Sequence, residues 1–215
     1  LAFALACGDT VQVSEIAELF RADSALAARV VAAANSPHYS RGERVADIRD
    51  AVMLLGLEEV ARMVQVVMLT DLRRYPTHLY TNAAGHFWER SLHTALVSAE
   101  ISGGDPMAYT AGIMHLVGIW VLCSVFPAGA TAIATREIAL QAQLEQLRLG
   151  VTFAEVGGAA LAKWGFAPPV CEAVAWQVAP SAGVDPGQRE LARLLQRAVA
   201  VADWFYGAKN EKTLL

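Results

Sequence analysis

His115 stands in the apolar run AGIMHLVG, with Leu116 directly after it. An imidazole among apolar neighbours needs a partner: a metal ion, an acid or a backbone carbonyl. The ordinary form is a neutral histidine hydrogen-bonded inside a core. A metal held for hydrolysis takes at least three protein ligands, typically His or carboxylate, and Leu116 supplies none. His86, Glu89 and His93 fall at i, i+3 and i+7 and could share a helix face as a metal corner. The plainer reading of that trio is a solvated face with a Glu–His contact. His38 lies among turn residues and His78 near a block edge, as surface histidines do. Gly103-Gly104 and Gly157-Gly158 lack the spacing and the Lys of a phosphate cradle, and no Ser or Cys sits in a nucleophile elbow.

The elements that must position these residues read as helices nearly throughout. Val13, Ile16, Ala17 and Phe20 mark one helix face, and Leu26, Val30 and Ala34 continue it after the capping pair Asp23-Ser24. A loop follows at 35–42. Ile48, Ala51, Val52 and Leu55 form the next face, stopped at Gly56; Leu57, Val60, Val64, Val67 and Met68 form another. A helix through Trp88, Leu92, Ala95 and Ala99 stops at Gly103-Gly104. Asp105-Pro106 then opens a buried helix carrying His115. A more polar helix reaches Leu149 with Leu140, Leu144 and Leu147 on one side. Phe153 to Trp164 is rich in Gly and Ala, which suits close helix packing. Pro168-Pro169 starts a helix running to Pro180. Leu191, Leu194, Leu195, Ala198, Ala202 and Phe205 mark the last, which ends near Gly207. No alternating strand pattern and no repeat is present. The pattern predicts an all-α chain with its boundary between blocks at Tyr75 to Asn82.

The totals agree. Of 215 residues, 55% are apolar and 18% charged, enough to bury a sizeable core. Net charge is −4 and the arginines are scattered, so there is no basic footprint for nucleic acid. Cys7, Cys123 and Cys171 are too widely spaced for a zinc knuckle and read as reduced thiols of a cytoplasmic protein. The uncharged stretch from Pro106 to Thr135 is interrupted by glycines, His115 and Pro127, which predicts a core helix rather than a membrane span. A first residue of Leu rather than Met predicts an excised piece with domains upstream.

Three stretches resemble the opening of an HDOD domain: LFRADSALAARV from Leu19, the Asn35-Ser36 loop, and AVMLLG from Ala51. Trp88 with Ser91, then Ala111 to His115, then Glu155-Val156-Gly157 with Trp164, carry the likeness onward. It covers roughly Val11 to Gly207. HDOD domains are similar in fold to the HD and HD-GYP phosphohydrolases, whose helical bundle holds metal through histidines and aspartates. The resemblance therefore implies a multi-helix HD-type bundle over residues 78–207, a smaller N-terminal helical subdomain over 1–75, and a tail at 208–215.

The resemblance also places the metal positions of that superfamily. The adjacent His-Asp pair lands on His115 and Leu116, so its aspartate is gone. Arg90 and Phe153 stand where histidines are expected, and paired histidines fall near Gln177. Only Asp203 matches a late acidic position. Apolar Leu116 and Phe153 fill volume that ions would need, and the fixed charge of Arg90 repels a cation. The expectation is a degenerate site with no metal, no cofactor and no catalytic residue. In it Arg90 would pair with Asp203 or Glu155 or contact an anionic ligand, with His93 and Glu155 as further contacts. The implied function is a bacterial signal-transduction output module, as in a response regulator. It would act on a protein partner, a fused receiver, GGDEF or EAL domain, a second copy or a nucleotide effector. The alternative is a metal-dependent phosphohydrolase acting on nucleotides or cyclic dinucleotides.

Overall fold

The structure, a computed structural model, describes residues 24–40, 42, 44–72, 79–80, 87–126, 133, 138–179 and 186–212, the side chains of 24–26, 68–72, 186–188 and 206–212 excepted. The helix expected over Val13 to Phe20 lies outside them. Among the described residues the secondary structure is helical, with no strand. The all-α expectation is met.

The chain divides into two compact units, residues 1–68 and 69–215. The boundary expected at Tyr75 to Asn82 lies largely outside the described residues. In the first unit α1 (Ser24–Ala34), α2 (Ile48–Leu55) and the start of α3 (Leu57–Leu72) enclose Val30, Ala34, Ala51, Val52, Val60 and Val64. Asp47 caps α2 by accepting from Arg49 N, and Gly56 ends it at φ 80°, a left-handed value that disfavours side chains. Asn35 staples the loop to the segment that leads into α2. Its amide donates to Val45 O at 2.7 Å and accepts from Val45 N at 2.9 Å. That satisfies backbone groups that no helix serves.

The second unit holds α4 (Phe87–Ile101), α5 (Pro106–Met114), α6 (Val117–Val125), α7 (Ile138–Leu149), α8 (Phe153–Lys163), α9 (Pro168–Trp176) and α10 (Pro186–Lys212). α5 packs on α4, α6 on α8, α8 on α9, and α10 lies against α4, α5 and α9. Small residues set these distances. A Cβ on Gly112 would meet Ala95 Cα at 2.6 Å, and one on Gly118 would collide with the Phe153 carbonyl. The Gly/Ala-rich stretch from Phe153 does allow the close packing expected of it.

Four expectations need correction. The apolar stretch from Pro106 is two nine-residue helices, not one, broken at His115 and Leu116. Both are buried except at their outer ends, where Met107 and Val125 are exposed, and they pack on different neighbours. On α7, Leu140 and Leu147 are exposed while Gln141, Ala142 and Glu145 face inward, because polar partners await them there. α9 stops at Trp176 rather than Pro180, with Gln177 turned inward. α10 runs on through Gly207 to Lys212, and Phe205 points outward.

Candidate functional site

The break between α5 and α6 creates the local chemistry of His115. Its ring is fully buried, and Nδ1 lies 2.7 Å from Gly112 O. A carbonyl only accepts, so Nδ1 carries the proton and Nε2 keeps a bare lone pair. Nε2 meets no donor among the described residues. Burial, with the positive charge of Arg90 added, lowers the imidazole to about 3. The ring is therefore neutral at physiological pH, as a core histidine should be. Ending the helix also frees the carbonyl of His115. Gln177 serves it: Nε2 donates to His115 O at 2.8 Å and to Val174 O at 2.9 Å. Gln177 is thus the residue that makes the break affordable to a buried backbone.

Arg90 comes to the same region from the inward face of α4. It is only 6% exposed. Its Nη2 lies 2.8 Å and 2.9 Å from the two carboxylate oxygens of Asp203 on α10. Burial pushes the Asp203 carboxyl up from its ordinary value, and the guanidinium draws it back. Arg90, His115, Gln177 and Asp203, far apart in sequence, are therefore joined by hydrogen bonds or by electrostatic influence. Leu116 and Phe153, the other two positions carried over from the family likeness, are fully buried apolar side chains.

Glu155 does not go to Arg90. Its carboxylate accepts from Thr152 N at 2.8 Å and Thr152 Oγ1 at 2.9 Å, closing a capping box at the start of α8. His93 is half-buried on α4, one turn beyond Arg90. His86 lies outside the described residues.

A second polar centre was not legible in the sequence. Glu145 is fully buried on α7. Tyr80 Oη donates to its Oε1 at 2.7 Å, Gln141 Nε2 at 2.9 Å, and Phe153 N donates to Oε2 at 2.6 Å. Burial raises the carboxyl, against the pull of the Phe153 N–H, Tyr80 and Gln141. Phe153 N belongs to the first turn of α8, where a carboxylate is favoured. The only hint in the sequence is a Gln–Glu pair four apart opposite a leucine face. Cys123 and Cys171 are buried free thiols, and Cys7 is outside the described residues.

The metal that an HD-type fold implies does not fit these residues. His115 offers one lone pair, Asp203 is engaged by a buried cation, and two positions are apolar. Among the described residues no group of three or more His, Cys, Asp or Glu could hold a metal ion.

The HDOD domain family model matches residues 4–180. The chain belongs to the HDOD family. The match ends before Asp203, so the acidic half of the ion pair lies beyond the part the family model covers. An uncharacterized protein of Treponema pallidum is 26% identical to this HDOD chain over 178 residues, 76% of this chain and 33% of that one. The chain thus spans about a third of the length of that curated relative. A solved HDOD domain protein of unknown function from Geobacter sulfurreducens is 25% identical, with TM-score 0.65, covering 93% of this chain and 69% of that one. Two more share the fold. One, from Marinobacter aquaeolei VT8, is named a candidate signal transduction protein and is 24% identical, with TM-score 0.68, over 92% of this chain and 46% of its own. The other, from Shewanella amazonensis SB2B, is named a candidate phosphohydrolase and is 23% identical, with TM-score 0.68, over 95% of this chain and 75% of its own.

Proposed function

We propose that this HDOD chain is a non-catalytic signal-transduction module that works by binding, to a partner domain, a second copy or a small effector. One observation carries the reading: the ion pair between buried Arg90 and half-buried Asp203 occupies positions at which the family likeness expects metal ligands. A guanidinium 2.8 Å from the remaining carboxylate already neutralises it, and a divalent cation there would meet a fixed like charge. The signalling label on the Marinobacter protein agrees with this reading. The phosphohydrolase label on the Shewanella protein supports the competing one, as does the bare lone pair on His115 Nε2.

Metal analysis of the purified chain, with a manganese-supplemented assay on a cyclic dinucleotide and a generic phosphomonoester, separates the two. The binding-module reading expects substoichiometric metal and no turnover that a chelator abolishes. Stoichiometric metal that His115→Ala removes, with chelator-sensitive hydrolysis, would sink it.

A further inference from the structure

The ion pair fixes which face of α10 looks outward. Ala192, Leu195, Ala198, Val199 and Ala202 are buried, and Asp203 flanks them in contact with Arg90. The opposite face carries Arg193, Arg197, Val201 and Phe205, a ridge at successive i+4 steps, with Trp204 beside it. All five are exposed, Trp204 by 68%, Phe205 by 56% and Val201 by 40%. The Trp204 and Phe205 rings meet edge to face at 5.0 Å, so the aromatic end is already ordered. Arg193 and Arg197 make no ion pair or hydrogen bond among the described residues. A folded chain of net charge −4 thus leaves two neighbouring cations with no ion pair among the described residues, beside two exposed aromatics. Arg, Trp and Phe are the residues interfaces favour.

We infer that this ridge of α10 is a docking surface for a partner helix that carries carboxylates at one end and an apolar face along the next two turns. The ridge from Arg193 to Phe205 is about 18 Å long, three turns and more, and an i+4 ridge seats in the groove of a second helix. Carboxylates opposite Arg193 and Arg197 would set register and direction, while apolar side chains would cover Val201, Trp204 and Phe205. A lipid surface fits less well. Two arginines offset by Glu190 on the same face contribute only about 1 kcal/mol each at an anionic membrane. A second copy fits less well too. Side by side, the two ridges would set arginine against arginine, and reversed they would give the guanidinium groups rings but no carboxylate. This deepens the binding-module reading by naming its surface and rests on that reading.

The test uses the full chain and a labelled synthetic helical peptide. The peptide has two glutamates four residues apart, then leucines at i+4 steps. A twin has lysines in place of the glutamates. Anisotropy should show the glutamate peptide binding and the lysine peptide not. Arg193→Glu with Arg197→Glu should weaken the glutamate peptide about tenfold or more and admit the lysine peptide. Trp204→Ala should weaken it comparably. All these positions are exposed, so melting temperatures should not move. Equal binding of both peptides, or of neither, overturns the inference. So does recruitment to phosphatidylglycerol vesicles, or sedimentation showing a dimer that Trp204→Ala dissolves. A chain that fails here yet lacks metal leaves the non-catalytic reading standing. A chain that holds metal overturns that reading whatever the peptides do.

Discussion

Two buried polar centres lie in the same helical unit and solve the same problem differently. Arg90 and Asp203 are opposite charges on helices more than a hundred residues apart in sequence, held at 2.8 Å. Glu145 is an acid with no ion pair among the described residues. It is satisfied by a phenol, an amide and a backbone N–H, the last at 2.6 Å. A charge pair can be removed as a pair. A carboxylate that serves a backbone N–H cannot, because the N–H stays. The first centre is therefore replaceable by grease and the second is not, although both look like single buried acids in the sequence.

The largest expected effect tests the second half of that contrast. Glu145→Ala strands Tyr80 Oη and Phe153 N in the core, and each buried unsatisfied group costs about 1–3 kcal/mol. A loss of about 4 kcal/mol in urea denaturation is expected, before any cavity cost. Adding Tyr80→Phe should recover only part of it, since Phe153 N remains without an acceptor. Full recovery in that double variant would show that the N–H was never the issue.

Arg90→Met comes next, at about 2–3 kcal/mol. Breaking a buried pair costs more than breaking a surface one, but Asp203 is 34% exposed and water softens the loss. Here the double variant should behave in the opposite way. Arg90→Met with Asp203→Leu should return to within about 1 kcal/mol of the parent. If the two losses simply add, the pair is not acting as one unit and the contrast fails.

The contrast also explains what the sequence revealed. Some helix starts and stops followed from local signals: Gly56 and Asp105 act where the sequence put them, while the caps Asp47 and Thr152 emerge only in the structure. The partners of Arg90 could be narrowed because the family resemblance placed Asp203 and Glu155 near it, and a buried cation needs an acid. Glu145 could not be found that way. Beside Gln141, its partners are a tyrosine 65 residues upstream and a backbone N–H, and neither of these leaves a mark in composition or periodicity. The leucines of α7 then misled directly. Leu140, Leu144 and Leu147 make the apolar stripe, yet Leu147 is 82% exposed while Gln141 and Glu145 are fully buried. The break at His115 was hidden for a related reason. A helix can stop in mid-run when a distant side chain, here Gln177, accepts responsibility for the freed carbonyl.

Per pH unit the smallest expected effect is a slope in stability, and it sets His115 against Glu145. His115 is held at about 3 by burial, against an ordinary 6.5. The folded state therefore stays unprotonated where the unfolded state begins to take a proton. Its contribution is complete above pH 6.5 and is lost as pH falls, at up to about 1.4 kcal/mol per pH unit. Glu145 runs the other way. Burial raises its carboxyl above the ordinary 4.5, so the folded state keeps a proton that the unfolded state has released. Its contribution is present at low pH and falls as pH rises through that window. Where the two titrations overlap, above the ordinary carboxyl value of 4.5, the two slopes oppose. Removing either group should unmask the other. Glu145→Gln should lose stability steeply on acidification below pH 6.5, and His115→Gln should gain it. Urea titrations of both variants at four pH values would read the slopes. Parallel profiles in the two variants would mean that at least one group is not held as its surroundings dictate.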